Sequence, residues 1–382
     1  MNTAIRSSRS EQSPSSPTSS APDSLHGGLD DGAYGGDQGF HAPLVKPSAG
    51  HAPYPPAHGK SRSHSYDDMR RVEDIQDVTE IVQVALTERA EPVPIEPDWT
   101  QLTVRKLEVD LSRGFAEQWH RNAFLTQYHN ALSMSFPVGE QLFMDAVRNA
   151  LPLLPSVSNA PEHASLRGMV AQFVGQEATH RHVHALYNVN LEKQGLDNRW
   201  QRWALRHIAK GQARKLKPLQ WLAITAAYEH ITAVLADGVL RHDSWMAGAD
   251  SAMATIWKWH AAEEIEHRAV AFDLYMAAGG TRASRLRWYA YVLSTFTWDA
   301  SRQTVLNLWH AGRLSHFSTW WHGAQFLLGR DGLVWRSTGP LLGYFKRDFH
   351  PHNESGHRPD LQARALARRW LADNAASFRV VS

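Results

Sequence analysis

From about residue 100 onward, apolar positions recur at alternating steps of three and four, the period of a packed helical face. Val170, Phe173, Glu177, His180, His184 and Tyr187 share one such face. Leu222, Thr225, Glu229, Thr232 and Ala236 share a second, and Met253, Ile256, His260, Glu264, His267, Ala271 and Leu274 a third. Helix breakers divide the chain between these faces. The pattern predicts a helix over 123–135, then a new one opened by Pro137 that carries Glu140, Phe143, Met144 and Val147 and stops at Pro152 and Pro155. Pro161 opens a long helix to residue 193, closed by Gly195. A basic link follows, and Pro218 opens a helix to about residue 240. The next helix spans 251–278 and ends at Gly279 and Gly280. An aromatic-rich helix over 283–312 and a basic amphipathic one over 361–373 complete the reading, and 105–112 is read as a strand or extended lead-in. The expectation is an all-α fold: a ferritin-like four-helix bundle with additional C-terminal helices, in one domain over 96–382.

Residues 1–95 read differently. They are rich in Ser, Pro, Gly and His and poor in large apolar residues, so burial cannot offset the entropy of ordering them. They form a disordered N-terminal region in this reading, interrupted by a short amphipathic helix over 66–88.

Charged residues normally lie opposite the apolar stripe of a helix, yet here they lie within it. In order, the stripes carry Glu140, then Glu177-x-x-His180, then Glu229, then Glu264-x-x-His267. Residues three apart share a helix face, so each Glu-x-x-His pair can reach one metal ion while a facing helix adds a lone glutamate. This duplicated order is the ligand pattern of a carboxylate-bridged di-metal site in a four-helix bundle. Four clustered carboxylates are strongly disfavoured in a core unless cations neutralise them. Mixed carboxylate and imidazole donors suit iron, with manganese as the alternative. His260 and His184 extend the two motifs by four residues, as further nitrogen ligands or as hydrogen-bond partners of a carboxylate. Glu263 and Glu266 fall on other faces, as solvent-facing groups or as groups that orient histidines. His230 lies about 100° from Glu229 around the helix and is not counted. Two stray copies, Glu117-x-x-His120 and Glu354-x-x-His357, weigh little in a chain with 22 histidines.

Five segments carry a resemblance. Phe136-Pro137-Val138-Gly139-Glu140, Gln176-Glu177-Ala178-Thr179-His180, Tyr228-Glu229-His230 and Trp259 to His267 resemble the bacterial family of predicted metal-dependent hydrolases, as does Phe349-His350-Pro351. The resemblance covers roughly residues 100–355 and implies metal-assisted hydrolysis. His260-x-x-x-Glu264-x-x-His267 alone is similar to the ligand helix of the di-iron arylamine N-oxygenases, which adds a histidine to the ferritin-like set.

The expected function is therefore a non-haem di-iron oxidase or oxygenase on an organic small molecule. A metal-dependent hydrolase and a ferroxidase or metal-handling protein are the alternatives. The aromatic helix either packs in the core or walls an apolar substrate channel. An oxidase needs an electron donor from outside, since the chain has no flavin or iron–sulfur motif. The net charge of +2, with scattered Lys and Arg, gives no case for nucleic acid. The basic stretches 202–217 and 364–369 read as solvated helix faces or turns. There is no cysteine, which excludes disulfides and thiolate ligands. No charged-then-apolar signal opens the chain, and the most apolar window, 288–298, is too short to span a bilayer. A cytoplasmic protein without stable membrane insertion is expected.

Overall fold

The computed structural model describes residues 101–155, 161–354, 358–359 and 361–381. The N-terminal region, its expected helix over 66–88 and His357 lie outside the described residues. Helix dominates. In chain order the elements are strand β1 (Arg105–Leu107) and helices α1 (Ala123–Ala150), α2 (Pro161–Lys193), α3 (Arg199–Ala213), α4 (Pro218–Arg241), α5 (Ser251–His267) and α6 (Val270–Ala277). They continue with α7 (Arg282–His310), α8 (Phe317–Leu328), α9 (Leu333–Gly343), β2 (Asn353–Glu354), β3 (Arg358–Pro359), α10 (Leu361–Asp373) and β4 (Phe378–Val380). The all-α expectation holds. No helix among the described residues is long and apolar enough to cross a membrane.

Helix ends follow local chemistry. Asn122 caps α1 by accepting from the Leu125 amide, Asp250 caps α5 by accepting from Ala252 and Met253, and Thr281 caps α7 by accepting from Ser284. Gly195, with φ at +83°, ends α2, and the Leu196 amide returns to the Leu191 carbonyl.

Four departures from the sequence reading have structural content. First, α1 runs unbroken through Pro137, where a new helix was expected. Proline leaves the carbonyl four residues earlier, that of Ser133, without its helical donor. Asn188 of α2 supplies one: its Nδ2 donates to the Ser133 carbonyl at 2.9 Å. Second, the basic link contains a real helix, α3, capped by Asn198 accepting from the Gln201 amide. Third, the helix expected over 251–278 is two helices that part directly after His267. No Gly or Pro lies at the break; it accompanies burial of Arg268, whose Nε donates to His352 Nδ1 at 3.4 Å. Fourth, α8 and α9 were not expected at all.

α1, α2, α4 and α5 pack side by side around two clusters of buried apolar side chains, with α7 against α1 and α4, and α10 against α5 and α4. β1 pairs antiparallel with β4, Arg105 opposite Val380 and Leu107 opposite Phe378, and lies against α2. Gly175 makes that approach possible, since a Cβ there would run into Val104. The small pairing ties the two ends of the described domain together and fixes Arg105 over the bundle.

Candidate metal centre

The apolar stripes bring the charged positions inward. Glu140 comes from α1, Glu177, His180 and His184 from α2, Glu229 from α4, and His260, Glu264 and His267 from α5. None of the eight exposes more than 5% of its surface. Ligand atoms within 4.8 Å of one another fall into four overlapping groups: Glu140, Glu177 and His180; Glu177, Glu264 and His267; His180, His260 and Glu264; and Glu140, His184 and His260. Glu229 borders the second group, its Oε2 lying 3.4 Å from His267 Nε2.

The hydrogen bonds at this cluster are incomplete in a specific way. Both carboxylate oxygens of Glu140, Glu177 and Glu229, and also His180 Nδ1 and His267 Nε2, are buried without a hydrogen-bond partner. Buried polar atoms are nearly always satisfied, so eight such atoms converging at one place are the donor set of a cation site.

The outer ring nitrogens, by contrast, are fixed. His180 Nε2 donates to Glu263 Oε2 at 2.9 Å. His267 Nδ1 donates to Gln176 Oε1 at 3.0 Å. The Gln176 amide is itself oriented, because its Nε2 donates to the Thr103 carbonyl and to Glu266 Oε2. With its proton on Nδ1, neutral His267 turns an Nε2 lone pair toward Glu177 Oε1 at 3.1 Å, Glu229 Oε2 at 3.4 Å and Glu264 Oε1 at 3.5 Å. A lone pair facing three carboxylates is repulsive unless a proton or a metal ion lies between them.

The titration shifts express the same frustration. Burial drives the Glu140 and Glu229 carboxyls well above the ordinary range, with mutual repulsion adding to it, and raises Glu177. Burial would raise Glu264 too, yet His267 and His260 beside it hold it well below. Burial alone would lower His267, but Glu264 and Glu229 raise it well above an ordinary imidazole. His180 and His184 are pushed well down by burial and by neighbouring histidines.

His184 and His260 are engaged on both ring nitrogens. His184 Nδ1 lies 2.9 Å from Ser133 Oγ and its Nε2 lies 2.8 Å from His260 Nδ1; His260 Nε2 lies 3.0 Å from Glu264 Oε1. Ser133 Oγ donates to Asn188 Oδ1, so His184 must donate from Nδ1. Thr232 Oγ1 donates to the other oxygen of Glu264 at 2.5 Å.

Some contributors were not legible in the sequence. Glu263, allowed for as solvent-facing, is fully buried, and of the two expected roles only the orienting one fits. Its Oε1 accepts from Arg105 Nη1 at 3.0 Å, and the same guanidinium reaches both oxygens of Glu266. Arg105 sits far away in sequence, so no spacing signals it. Gln176 and Glu263 do carry a signal, since each precedes a proposed ligand by one residue. His230 faces away from the cluster and donates from Nε2 to the Pro340 carbonyl. Of the stray motifs, His120 is buried outside the cluster and Glu117 is exposed.

A cavity of about 280 Å³ adjoins the cluster, with Glu140 and Thr232 in its wall. Trp288, Tyr291 and Phe296 of the aromatic helix line it, whereas Tyr289 of the same helix is core and Trp298 and Trp309 are exposed. That helix therefore packs in the core at some positions and lines a cavity at others. A second cavity of about 40 Å³ is lined by His260, Glu264 and Thr232.

The profile of a family described as predicted metal-dependent hydrolase matches residues 103–355. No curated protein matches the chain, and no solved structure matches it.

Proposed function

The chain belongs to the predicted metal-dependent hydrolase family, and from that premise we propose that its buried cluster holds two metal ions, iron by choice, in a ferritin-like arrangement, and that the protein is a non-haem di-iron oxidase or oxygenase. The observation that carries the reading is the set of unsatisfied inward-facing atoms on Glu140, Glu177, Glu229, His180 and His267. Glu177 with His180 would hold one ion and Glu264 with His267 the other, while Glu140 and Glu229 complete or bridge them. His184 is assigned to holding His260, its Nδ1 donating to Ser133 Oγ and its Nε2 accepting from His260 Nδ1, which leaves the His260 Nε2 lone pair, 3.0 Å from Glu264 Oε1, as a further candidate nitrogen ligand. When bound, a redox-active iron pair supplies the electrons for dioxygen reduction.

The chain's own residues prepare the site. Glu263 and Gln176 hold the outer protons of His180 and His267, leaving the inner nitrogens free to ligate. Thr232 fixes Glu264. Burial keeps bulk water away, and the larger cavity admits an organic substrate to the Glu140 edge.

The hydrolase reading is favoured by the family description. Two metals can activate a water and polarise a carbonyl or phosphoryl oxygen. Hydrolysis uses water as a reactant, however, and the walls next to Glu140 are largely aromatic and aliphatic. An oxygen electrode separates the readings. Protein reconstituted with ferrous iron should consume dioxygen in the presence of a reductant and form an oxidised organic product. Turnover of esters or phosphoesters without dioxygen would establish the hydrolase instead, and dioxygen uptake with no organic product would establish a ferroxidase.

A further inference from the structure

The larger cavity is asymmetric in charge, and the asymmetry bears on what it admits. At its inner end are Glu140 and Thr232, buried beside the metal cluster. Its middle is apolar, walled by Phe136, Phe143, Trp200, Tyr228, Trp288 and Phe296. At its outer end it is lined by Lys210 and Arg214, at the end of α3, and by Arg287 of α7. All three are exposed, and none forms an ion pair with a carboxylate among the described residues. Apart from Glu140, the carboxylate lining the cavity is Asp299, which is buried and already faces Arg302 at 3.8 Å. Arg287 lies over the Trp288 ring at 5.9 Å, which sets its charge beside the apolar wall.

We propose that this cavity binds an amphipathic anion: an apolar chain or ring system that enters first and reaches the metal cluster, with a carboxylate or phosphate head held at the mouth by Lys210, Arg214 and Arg287. The volume suits one small ligand, near the lower end of the roughly 300–1,000 Å³ usual for such sites. The inner end is the wrong place for an anion, since Glu140 and its neighbours already crowd negative charge there. The cationic outer end both attracts an anion and sets its direction, so the position oxidised is the apolar end remote from the head. This names a substrate class for the enzyme proposed above and rests on that reading for the chemistry, but binding can be tested without it.

Isothermal titration of the metal-free full chain with decanoate, decyl phosphate, decanol and decylamine, each below its micelle concentration, is the test. Decanoate or decyl phosphate should bind at one site, about tenfold more tightly than decanol, with decylamine weaker still. Which of the two anions binds better identifies the head group. Arg214→Ala with Arg287→Ala should weaken the anion about three- to tenfold and leave decanol unchanged, the size expected for two solvent-exposed charge contacts. Added salt should weaken the anion in the same direction. Ala204→Trp, which fills the cavity from α3, should abolish binding of all four while circular dichroism shows an intact fold. Equal binding of decanol and decanoate, an unchanged double variant, or binding that survives Ala204→Trp would each overturn the proposal. Saturable anion binding in a protein that retains no iron would instead reject the di-iron reading and leave the cavity assignment standing.

Discussion

Replacing Arg105 by alanine should damage both the fold and the metal centre, although Arg105 is outside the cluster. Its guanidinium lies 3.0 Å from Glu263 Oε1 and 2.7 Å from Glu266 Oε2. The Glu263 side chain is fully buried, and the side chains of Arg105 and Glu266 are about nine-tenths buried. Removing one partner of such a pair leaves an uncompensated charge in the core, at a cost of about 3–5 kcal/mol. Glu263 has one escape, which is to take up a proton, since burial already raises its carboxyl well above the ordinary range against the pull of Arg105. A protonated Glu263 holds the His180 Nε2 proton less firmly, and the loss of such a group typically weakens metal binding about 10–100-fold. Urea unfolding followed by circular dichroism and a ferrous-iron titration measure the two effects. Arg105→Ala with Glu263→Gln should be more stable than Arg105→Ala alone, because the fully buried Glu263 charge is then gone and Glu266, the other carboxylate that loses the guanidinium, still accepts from Gln176 Nε2. A loss under about 1 kcal/mol in the single variant, with metal affinity unchanged, would refute this account of how β1 serves the site.

Other outcomes follow from single contacts. Thr232→Val deletes the hydroxyl that donates to Glu264 and should weaken metal binding about tenfold or more while the fold persists, as read by metal titration against circular dichroism. Gly238→Ala drives a Cβ into the Trp245 ring and should cost about 1–3 kcal/mol, whereas Gly168→Ala meets nothing and should stabilise by about 0.5–1 kcal/mol; thermal unfolding of the pair tests the packing. Burial pushes His129 down to about 3, so the folded protein leaves it neutral while the unfolded chain protonates it below about 6.5. Its contribution is complete above that pH and is lost as pH falls toward 3. The slope of stability against pH between 6 and 4.5 should therefore be lower by about 1.4 kcal/mol per unit in His129→Phe, and an identical slope would contradict the assignment.

The helical frame was legible because its signals are local. Pro161, Gly195 and Pro218 bound α2 and the start of α4 where the sequence places them, and α10 falls on residues 361–373 as read. The inward placement of Glu140, Glu177, Glu229, Glu264 and the two motif histidines followed from the same periodicity. What failed depended on distant partners. Pro137 reads as a helix start until Asn188 is seen to satisfy the Ser133 carbonyl. The break after His267 has no breaker residue, and α9 contains Pro340 within it. The roles of Arg105 and Gln176 arise from contacts across 70 residues or more, and the orienting role allowed for Glu263 is selected only by its contacts with His180 and Arg105, which are as distant in sequence. The cationic residues read as a solvated face, Lys210 and Arg214 among them, are exposed as expected, but they also line a cavity that only the folded chain creates.

The central claim is that Glu140, Glu177, Glu229 and Glu264 with His180 and His267 hold two metal ions. Anaerobic loading with ferrous iron, removal of excess metal and elemental analysis per chain test it most directly. The account predicts about two irons per chain, matching the two Glu-x-x-His motifs, and less than one in Glu177→Ala, whose carboxylate belongs to two of the four ligand groups. No retained iron in the native chain, or the same content in Glu177→Ala, would contradict it.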